Sequence, residues 1–286
     1  GSFERGVIVN KTFIPADRKQ ISVALSGDFM SQVTSNRGGR YYEVDGDTYQ
    51  SVTSLISGTL RNIGVERWKD IWVKDQLKRY EGHVITPDLA TKIVTASDNE
   101  LKQSAGLGTH MHDIIERLLR DEDVNEYMND QYEPAVRAWL KWRARFIEWQ
   151  LVGTEVGVYC DGRFGAFAGQ VDALFKLGDD YMVVDWKTSS GLYDSSFLQV
   201  GAYAHALKDM YDIVGIGKVK ACVVRLVNDY PKIEGTRKKN RRVKKQFNGD
   251  CEYALIDVDH WYQTFSYMMA TNLGVKSKSD VEKVKI

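Results

Sequence analysis

The stretch from Thr154 to Lys187 constrains the fold more than any other part of the chain. Thr154 to Cys160, Ala166 to Leu177 and Tyr181 to Lys187 are runs rich in β-branched and aromatic residues. Asp161-Gly162 and Gly178-Asp179-Asp180 separate them. Glycine reaches positive φ at little cost and aspartate bonds to its own backbone, so both pairs are turn signals. Three such runs joined by short turns predict a three-stranded antiparallel meander. The flanks read differently. A helix is expected from about Asn99 to Arg120, with Met111, Ile114, Ile115, Leu118 and Leu119 on one stripe. Another is expected over Pro134 to Gln150, and a third over Ser195 to Tyr211. Val219 to Val227 reads as a buried strand, Glu252 to Val258 as a further strand, and Asp259 to about Leu273 as a closing helix. The order predicts an α/β fold, a mixed central β-sheet flanked by helices.

Upstream, Tyr41 to Tyr49 reads as two short strands around the Asp45-Gly46 turn. Ser51-Val52-Thr53-Ser54 has the composition of a helix cap, and Trp68 to Tyr80 is rich in helix formers. Residues 1–103 are therefore expected to form an N-terminal elaboration packed on a core of residues 104–286.

The meander also carries chemistry. Asp185 and Lys187 end its last strand, and residues i and i+2 of a strand share a face. A hairpin of this length brings Asp172, on the preceding strand, opposite them. Two close carboxylates repel unless a proton or cation lies between them. Mg²⁺ or Mn²⁺ answers that need with hard oxygen coordination. Such a centre polarises a phosphoryl oxygen, and an adjacent lysine neutralises charge that builds there, which points to phosphodiester hydrolysis. The bland alternative is an Asp–Lys ion pair at a strand end, which is common. The apolar run before Asp185 and the second aspartate beside it favour the site.

Asp172 followed by Asp185-Trp186-Lys187 resembles the core motif of the PD-(D/E)XK nucleases. Gly108-Thr109-His110-Met111-His112 and Gln199-Val200-Gly201-Ala202-Tyr203 are similar to the upstream and downstream motifs of the RecB-like branch of that superfamily. The four elements occur in the family's order. The segment Tyr41 to Thr53 also resembles phage-type members and the mitochondrial genome maintenance exonuclease. The resemblance implies a restriction-endonuclease-like core and a role for each matching position. His112, Asp172, Asp185 and the Trp186 carbonyl would hold metal. Lys187 would be the catalytic lysine. Gln199 and Tyr203, one helical turn apart, would position the lysine, the water or a phosphate. Glu116, four residues after His112, is expected to orient the imidazole, and Glu155 to aid the site at its edge. The expected activity is a metal-dependent DNA exonuclease working on single-stranded ends in replication, repair or recombination. A structure-specific endonuclease with the same centre, or an inactive DNA-binding module, is the alternative.

Charge sharpens the reading. Lysine plus arginine and aspartate plus glutamate are both 39, which excludes a uniformly basic nucleic-acid binder. Yet Lys232, Arg237, Lys238, Lys239, Arg241, Arg242, Lys244 and Lys245 crowd one segment with a single acid, Glu234. This basic insertion, at about 228–247, is expected to grip the phosphate backbone. The helix over Pro134 to Gln150 mixes arginine with tryptophan. It is expected to pack its rings inward while its charges reach outward, rather than to stack on bases. Asp121 to Glu133 holds six acids and no base, the mark of a solvated connection. Cys160, Cys222 and Cys251 are scattered, so neither a disulfide scaffold nor an iron–sulfur cluster is expected. No apolar run reaches the roughly 18 residues of a membrane span, so no membrane partner is expected. The chain also carries no nucleotide-binding Gly-x-x-x-x-Gly-Lys loop, so any helicase or recombination protein it works with would be a separate chain. The cytoplasm of a bacterial or phage-infected cell is the expected location, with the mitochondrial matrix as the minor alternative.

Overall fold

A computed structural model describes residues 6–9, 12–15, 30–34, 39–44, 46–60, 62–189, 191–211, 218–226 and 251–276. β1 (Gly6–Val9) and β2 (Thr12–Pro15) pair with each other as a separate antiparallel ribbon. β3 (Ser31–Thr34), β4 (Arg40–Val44) and β5 (Asp47–Ser51) follow as two successive antiparallel pairs. Gly46, at φ 86°, makes the turn between β4 and β5 that the Asp-Gly signal implied. α1 (Val52–Thr59) begins directly after β5, and the Ser51 hydroxyl caps it by accepting from the Ser54 N–H.

α2 (Ile63–Lys78) and α3 (Pro87–Leu119) come next. α3 is 33 residues long and starts twelve residues before the expected start at Asn99. Its start is set by local chemistry: Thr86 caps the Leu89 N–H, and Pro87 occupies the first turn, where no N–H is needed. The apolar stripe marks only the part of α3 that packs on the sheet, where Met111, Ile114 and Ile115 are buried. The acidic connection Asp121 to Glu133 is mostly exposed and holds one short 3₁₀ turn, Asn125–Tyr127.

α4 (Glu133–Arg145) ends five residues earlier than its composition implies, and β6 (Gln150–Cys160) starts four residues earlier. β7 (Phe167–Leu177) and β8 (Asp180–Lys187) complete the expected meander. α5 (Asp194–Tyr211) then crosses over to β9 (Val219–Leu226), which pairs parallel with β8. β10 (Cys251–Ile256) adds antiparallel to β9. Val258, taken in the sequence as strand, instead opens α6 (Val258–Lys276), because the Asp257 carboxylate bonds the His260 N–H at a helix start.

The result is an eight-stranded mixed sheet ordered β10-β9-β8-β7-β5-β4-β3, with β6 on the other edge of β7. Both faces are covered, so β8 and β9 are near-continuous apolar runs rather than alternating ones. On one face Val183, Ala221 and Val223 meet Val200, Ala204 and Leu207 of α5 and Phe265 of α6. On the other, Phe175, Val184, Trp186 and Val224 meet α3 and α4. Trp142 is the hub of that second layer, with its ring 5.0 Å from Trp186 and 5.6 Å from Phe175, edge to face. Such ring pairs contribute about 0.5–1.5 kcal/mol beyond their buried area. The tryptophans of α4 are therefore core residues, while Arg143 and Arg145 lie over the Phe175 and Tyr253 rings.

α3 passes through residues 103 and 104 without a break, and β5 joins β7 in the same sheet. Among the described residues, no helix is long and apolar enough to cross a membrane.

Candidate active site

The site lies where the sheet parts. β7 and β8 pair from Leu177 and Asp180 as far as Ala173 and Val184, and there the ladder stops. β5 takes up the same edge of β7 only at Phe167 and Ala168. Asp172 and Asp185 flank the resulting gap. The Trp186 N–H, with no strand partner there, donates to Asp172 Oδ2 at 2.7 Å. A carboxylate thus replaces a ladder carbonyl, and this ties the two acid-bearing strands together. A continuous sheet would separate its two helical layers; a gap lets them meet. His112 comes from α3 in one layer, and Gln199 and Tyr203 come from α5 in the other.

The contacts form one chain. His112 Nδ1 is 3.5 Å from Asp172 Oδ1. Lys187 Nζ is 2.8 Å from Asp185 Oδ2 as an ion pair and donates to Gln199 Oε1 at 3.0 Å. The Gln199 amide donates to Asp185 Oδ1 at 3.2 Å and to the Tyr203 hydroxyl at 3.1 Å. Gln199 can serve three groups because its amide offers two N–H bonds and a carbonyl. The Asp185 side chain is 2% exposed, and no donor is aligned on its Oδ2 as a hydrogen bond.

Electrostatics follow from this burial. Burial alone would lower the His112 pKa, but the Asp172 carboxylate outweighs it and lifts it to about 9. Burial likewise works against the Lys187 ammonium, yet Asp185 and Asp172 hold it above the usual lysine range. Burial pushes the Asp185 carboxyl up, with Lys187 opposing, whereas His112 holds the Asp172 carboxyl down against its own burial. Tyr203 is pushed well up by burial and stays a neutral hydroxyl. At neutral pH the centre therefore balances two carboxylates with an imidazolium and an ammonium.

Two glycines, Gly108 of the upstream motif and Gly169 three residues before Asp172, are explained by close approach. A Cβ on Gly169 would meet the Tyr203 ring, with Cζ at 2.8 Å and Oη at 2.9 Å. A Cβ on Gly108, one turn before His112, would lie 2.9 Å from Thr188 Oγ1, next to Lys187. Each glycine lets an element carrying one site residue press against an element carrying another. We expect Gly169→Ala to cost about 1–3 kcal/mol of stability, because the strand and the buried ring cannot both stay in place. Urea unfolding with an unchanged midpoint would contradict this packing.

The other expected positions divide. Glu116 sits beside the site, but its carboxylate is held by Arg120 and by the Thr154 hydroxyl, and the imidazole it was expected to orient lies against Asp172 instead. Glu155 lies on β6 across from Asp172. Burial and the charges of Asp172 and Glu116 raise its pKa to about 7. The Trp186 ring is buried in the opposite layer, while its main chain reaches the site. The basic residues Lys232, Arg237, Lys238, Lys239, Arg241, Arg242, Lys244 and Lys245 lie outside the described residues.

Sequence reasoning missed three neighbours. Arg40 and Tyr42 of β4 stand close enough for their groups to bear on Lys187 and Tyr203. Arg225 pairs in register with Lys187, and it donates to Ser189 O at 3.0 Å and to Glu252 at 2.5 Å. It thereby pins the chain leaving Lys187. Parallel register brings it there, and no local pattern announces it.

Comparisons with known proteins bear on this arrangement. No curated protein matches the chain. Thirteen chains of solved structures do. One, described as the crystal structure of SSO0001, is 14% identical with a TM-score of 0.33, over 73% of this chain and 87% of its own. A family model for the PD-(D/E)XK nuclease superfamily matches residues 122–273, more than half of the chain. That span starts after the His112 helix and holds Asp172, Asp185, Lys187, Gln199 and Tyr203. The chain belongs to the PD-(D/E)XK nuclease superfamily.

Proposed function

We propose that this nuclease is a metal-dependent DNA exonuclease of the RecB-like branch, acting on single-stranded ends. The observation that carries the reading is the lysine of the Asp-x-Lys strand held between Asp185 and Gln199, with Asp172 across the gap. The branch assignment rests on His112, on the helix that precedes the meander, and on Gln199 and Tyr203, which bond each other on α5.

Nucleases of this superfamily typically use divalent metal ions. The donors here suit one. Asp172 and Asp185 supply hard oxygens, and the buried Asp185 Oδ2 has the Lys187 ammonium 2.8 Å away as an ion pair. Among the described residues, no group of three or more histidine, cysteine, aspartate or glutamate side chains is placed to hold a metal ion. Mg²⁺ asks for fewer protein donors, because it keeps several waters and binds through one or two carboxylates. Asp172 and Asp185 would hold it, with the His112 imidazole and the Trp186 carbonyl as further donors. When bound, such an ion polarises a phosphoryl oxygen and lowers the pKa of its water.

The remaining work falls to the protein. Asp185 and Asp172 hold the Lys187 ammonium above the usual lysine range, which suits it to neutralise charge that builds on the phosphate. Gln199 fixes that ammonium and is itself fixed by Asp185 and the neutral Tyr203 hydroxyl. The basic segment Lys232 to Lys245 is proposed to hold the strand by charge, and a separate helicase or recombination protein to deliver it.

Digestion of end-labelled linear and circular single-stranded DNA tests the reading. With Mg²⁺ or Mn²⁺ we expect progressive loss of the linear strand, an intact circle, and no reaction in chelator. A cut circle would replace the exonuclease by the endonuclease alternative. No cleavage under any metal would favour the inactive DNA-binding module.

A further inference from the structure

One register row crosses the carboxyl ends of the parallel strands β8 and β9. Lys187 pairs with Arg225, and Arg225 pairs in turn with Glu252 of β10. Val183 of β8 and Val223 of β9 pack on the α5 layer. Residues an even number apart on a strand share a face, so Lys187 and Arg225 both point to that layer, from which Gln199 reaches the lysine. Ligands of open α/β sheets collect in the crevice outside the carboxyl ends of such strands.

Two cations side by side on one face of a sheet repel. Each is tied to its own acid, Lys187 to Asp185 and Arg225 to Glu252. The guanidinium carries five N–H donors in a flat fork. Its Nε is used on Ser189 O at 3.0 Å and its Nη1 on Glu252 at 2.5 Å. Among the described residues no acceptor lies on Nη2, and the side chain is 20% exposed. The fork is thus held from two sides with one arm open. A fixed guanidinium with free donors suits a phosphate, which it grips in one orientation. Neighbouring strands lie about 4.8 Å apart, so Arg225 leaves the sheet one strand spacing from the lysine. β9 ends one residue after Arg225, and the sequence then runs toward the basic segment Lys232 to Lys245.

We propose that Arg225 binds a phosphate of the substrate strand next to the scissile one, with Glu252 and Ser189 O aiming its guanidinium. This rests on the nuclease reading of Lys187 and adds a subsite to it. The competing explanation is a structural arginine that only pins the chain leaving Lys187.

Single-turnover cleavage of end-labelled single-stranded DNA separates the two, with a neutral methylphosphonate replacing one phosphate at a time beside the first bond cut. Arg225→Met keeps the stem and removes the fork; Arg225→Lys keeps the charge. Urea unfolding checks that each variant folds. On unmodified DNA below saturation we expect Arg225→Met to cut about tenfold more slowly or worse, with Arg225→Lys in between. At one position the methylphosphonate should slow the wild type by a similar factor, and on that substrate Arg225→Met should lose no more than about twofold further. A wild type indifferent to a neutral linkage at every flanking position would overturn the proposal, whether or not the variants fold. A loss in Arg225→Met that is the same on every substrate would overturn it too, because a structural pin acts regardless of the linkage. If the wild type degrades no DNA with Mg²⁺ or Mn²⁺, the nuclease reading itself falls and takes the subsite with it.

Discussion

Replacing Lys187 by alanine should leave a protein that holds DNA and does not cut it. The ammonium is fixed at 2.8 Å from Asp185 and 3.0 Å from Gln199, and neighbouring carboxylates keep it charged. Removing one preorganised donor from a water-poor site costs on the order of 10²–10³ in rate. We expect a loss at the upper end, about 10³-fold, in single-turnover digestion of end-labelled DNA. Binding measured by fluorescence anisotropy in chelator should be unchanged, because phosphate affinity is spread over many basic groups. Folding survives the change, since Asp185 already has its carboxyl pushed up by burial and can take a proton when its partner is lost. Lys187→Arg should rescue little: a planar guanidinium cannot reproduce a compact ammonium between one carboxylate and one amide oxygen. Near-normal cutting by Lys187→Ala would remove the lysine from the mechanism.

Asp172→Asn should be equally severe for a different reason. Asp172 Oδ2 accepts from the Trp186 N–H, and an asparagine carbonyl can keep that bond, so the gap between β7 and β8 stays closed by the same tie. What is lost is the charge. The half-buried His112 imidazolium then has no carboxylate at 3.5 Å and a divalent ion has one anionic donor fewer. We expect activity to fall on the order of 10³-fold at saturating DNA, with partial recovery as Mn²⁺ is raised. Thermal stability should change little. An Asp172→Asn enzyme as active as wild type, at equal metal, would take Asp172 out of the centre.

Much of the site is legible in the sequence because its parts are short-range. Asp185 and Lys187 share a face by strand periodicity, and Gln199 and Tyr203 share one by helical periodicity. Both relations survive any error in the ends of the elements. The meander is legible for the same reason: its turns are written in Asp-Gly and Gly-Asp-Asp. Element ends were read less well. α3 begins at Pro87 because a threonine cap and a proline start it, and its first half buries only Ile93 and Ser97, one of them polar, so no apolar stripe marks it as helix. α4 ends early since Phe146 folds back to pack on Trp142 and Tyr253, a tertiary demand.

The sequence by itself therefore determined the order of the elements, the near-continuous apolar runs of the strands buried on both faces of the sheet, and the residue types that can carry phosphodiester chemistry. Periodicity and turn residues are local, and local physics suffices for them. Only the tertiary structure decided where those residues meet. It parted β7 from β8 so that His112 and Gln199 reach one gap from opposite layers. It turned Glu116 to Arg120 and Thr154, forced Glu155 into a left-handed conformation across from Asp172, and brought Arg225 beside Lys187. These are contacts between residues far apart in the chain. Strand register and the break in the ladder set them, and neither leaves a periodic trace in the sequence.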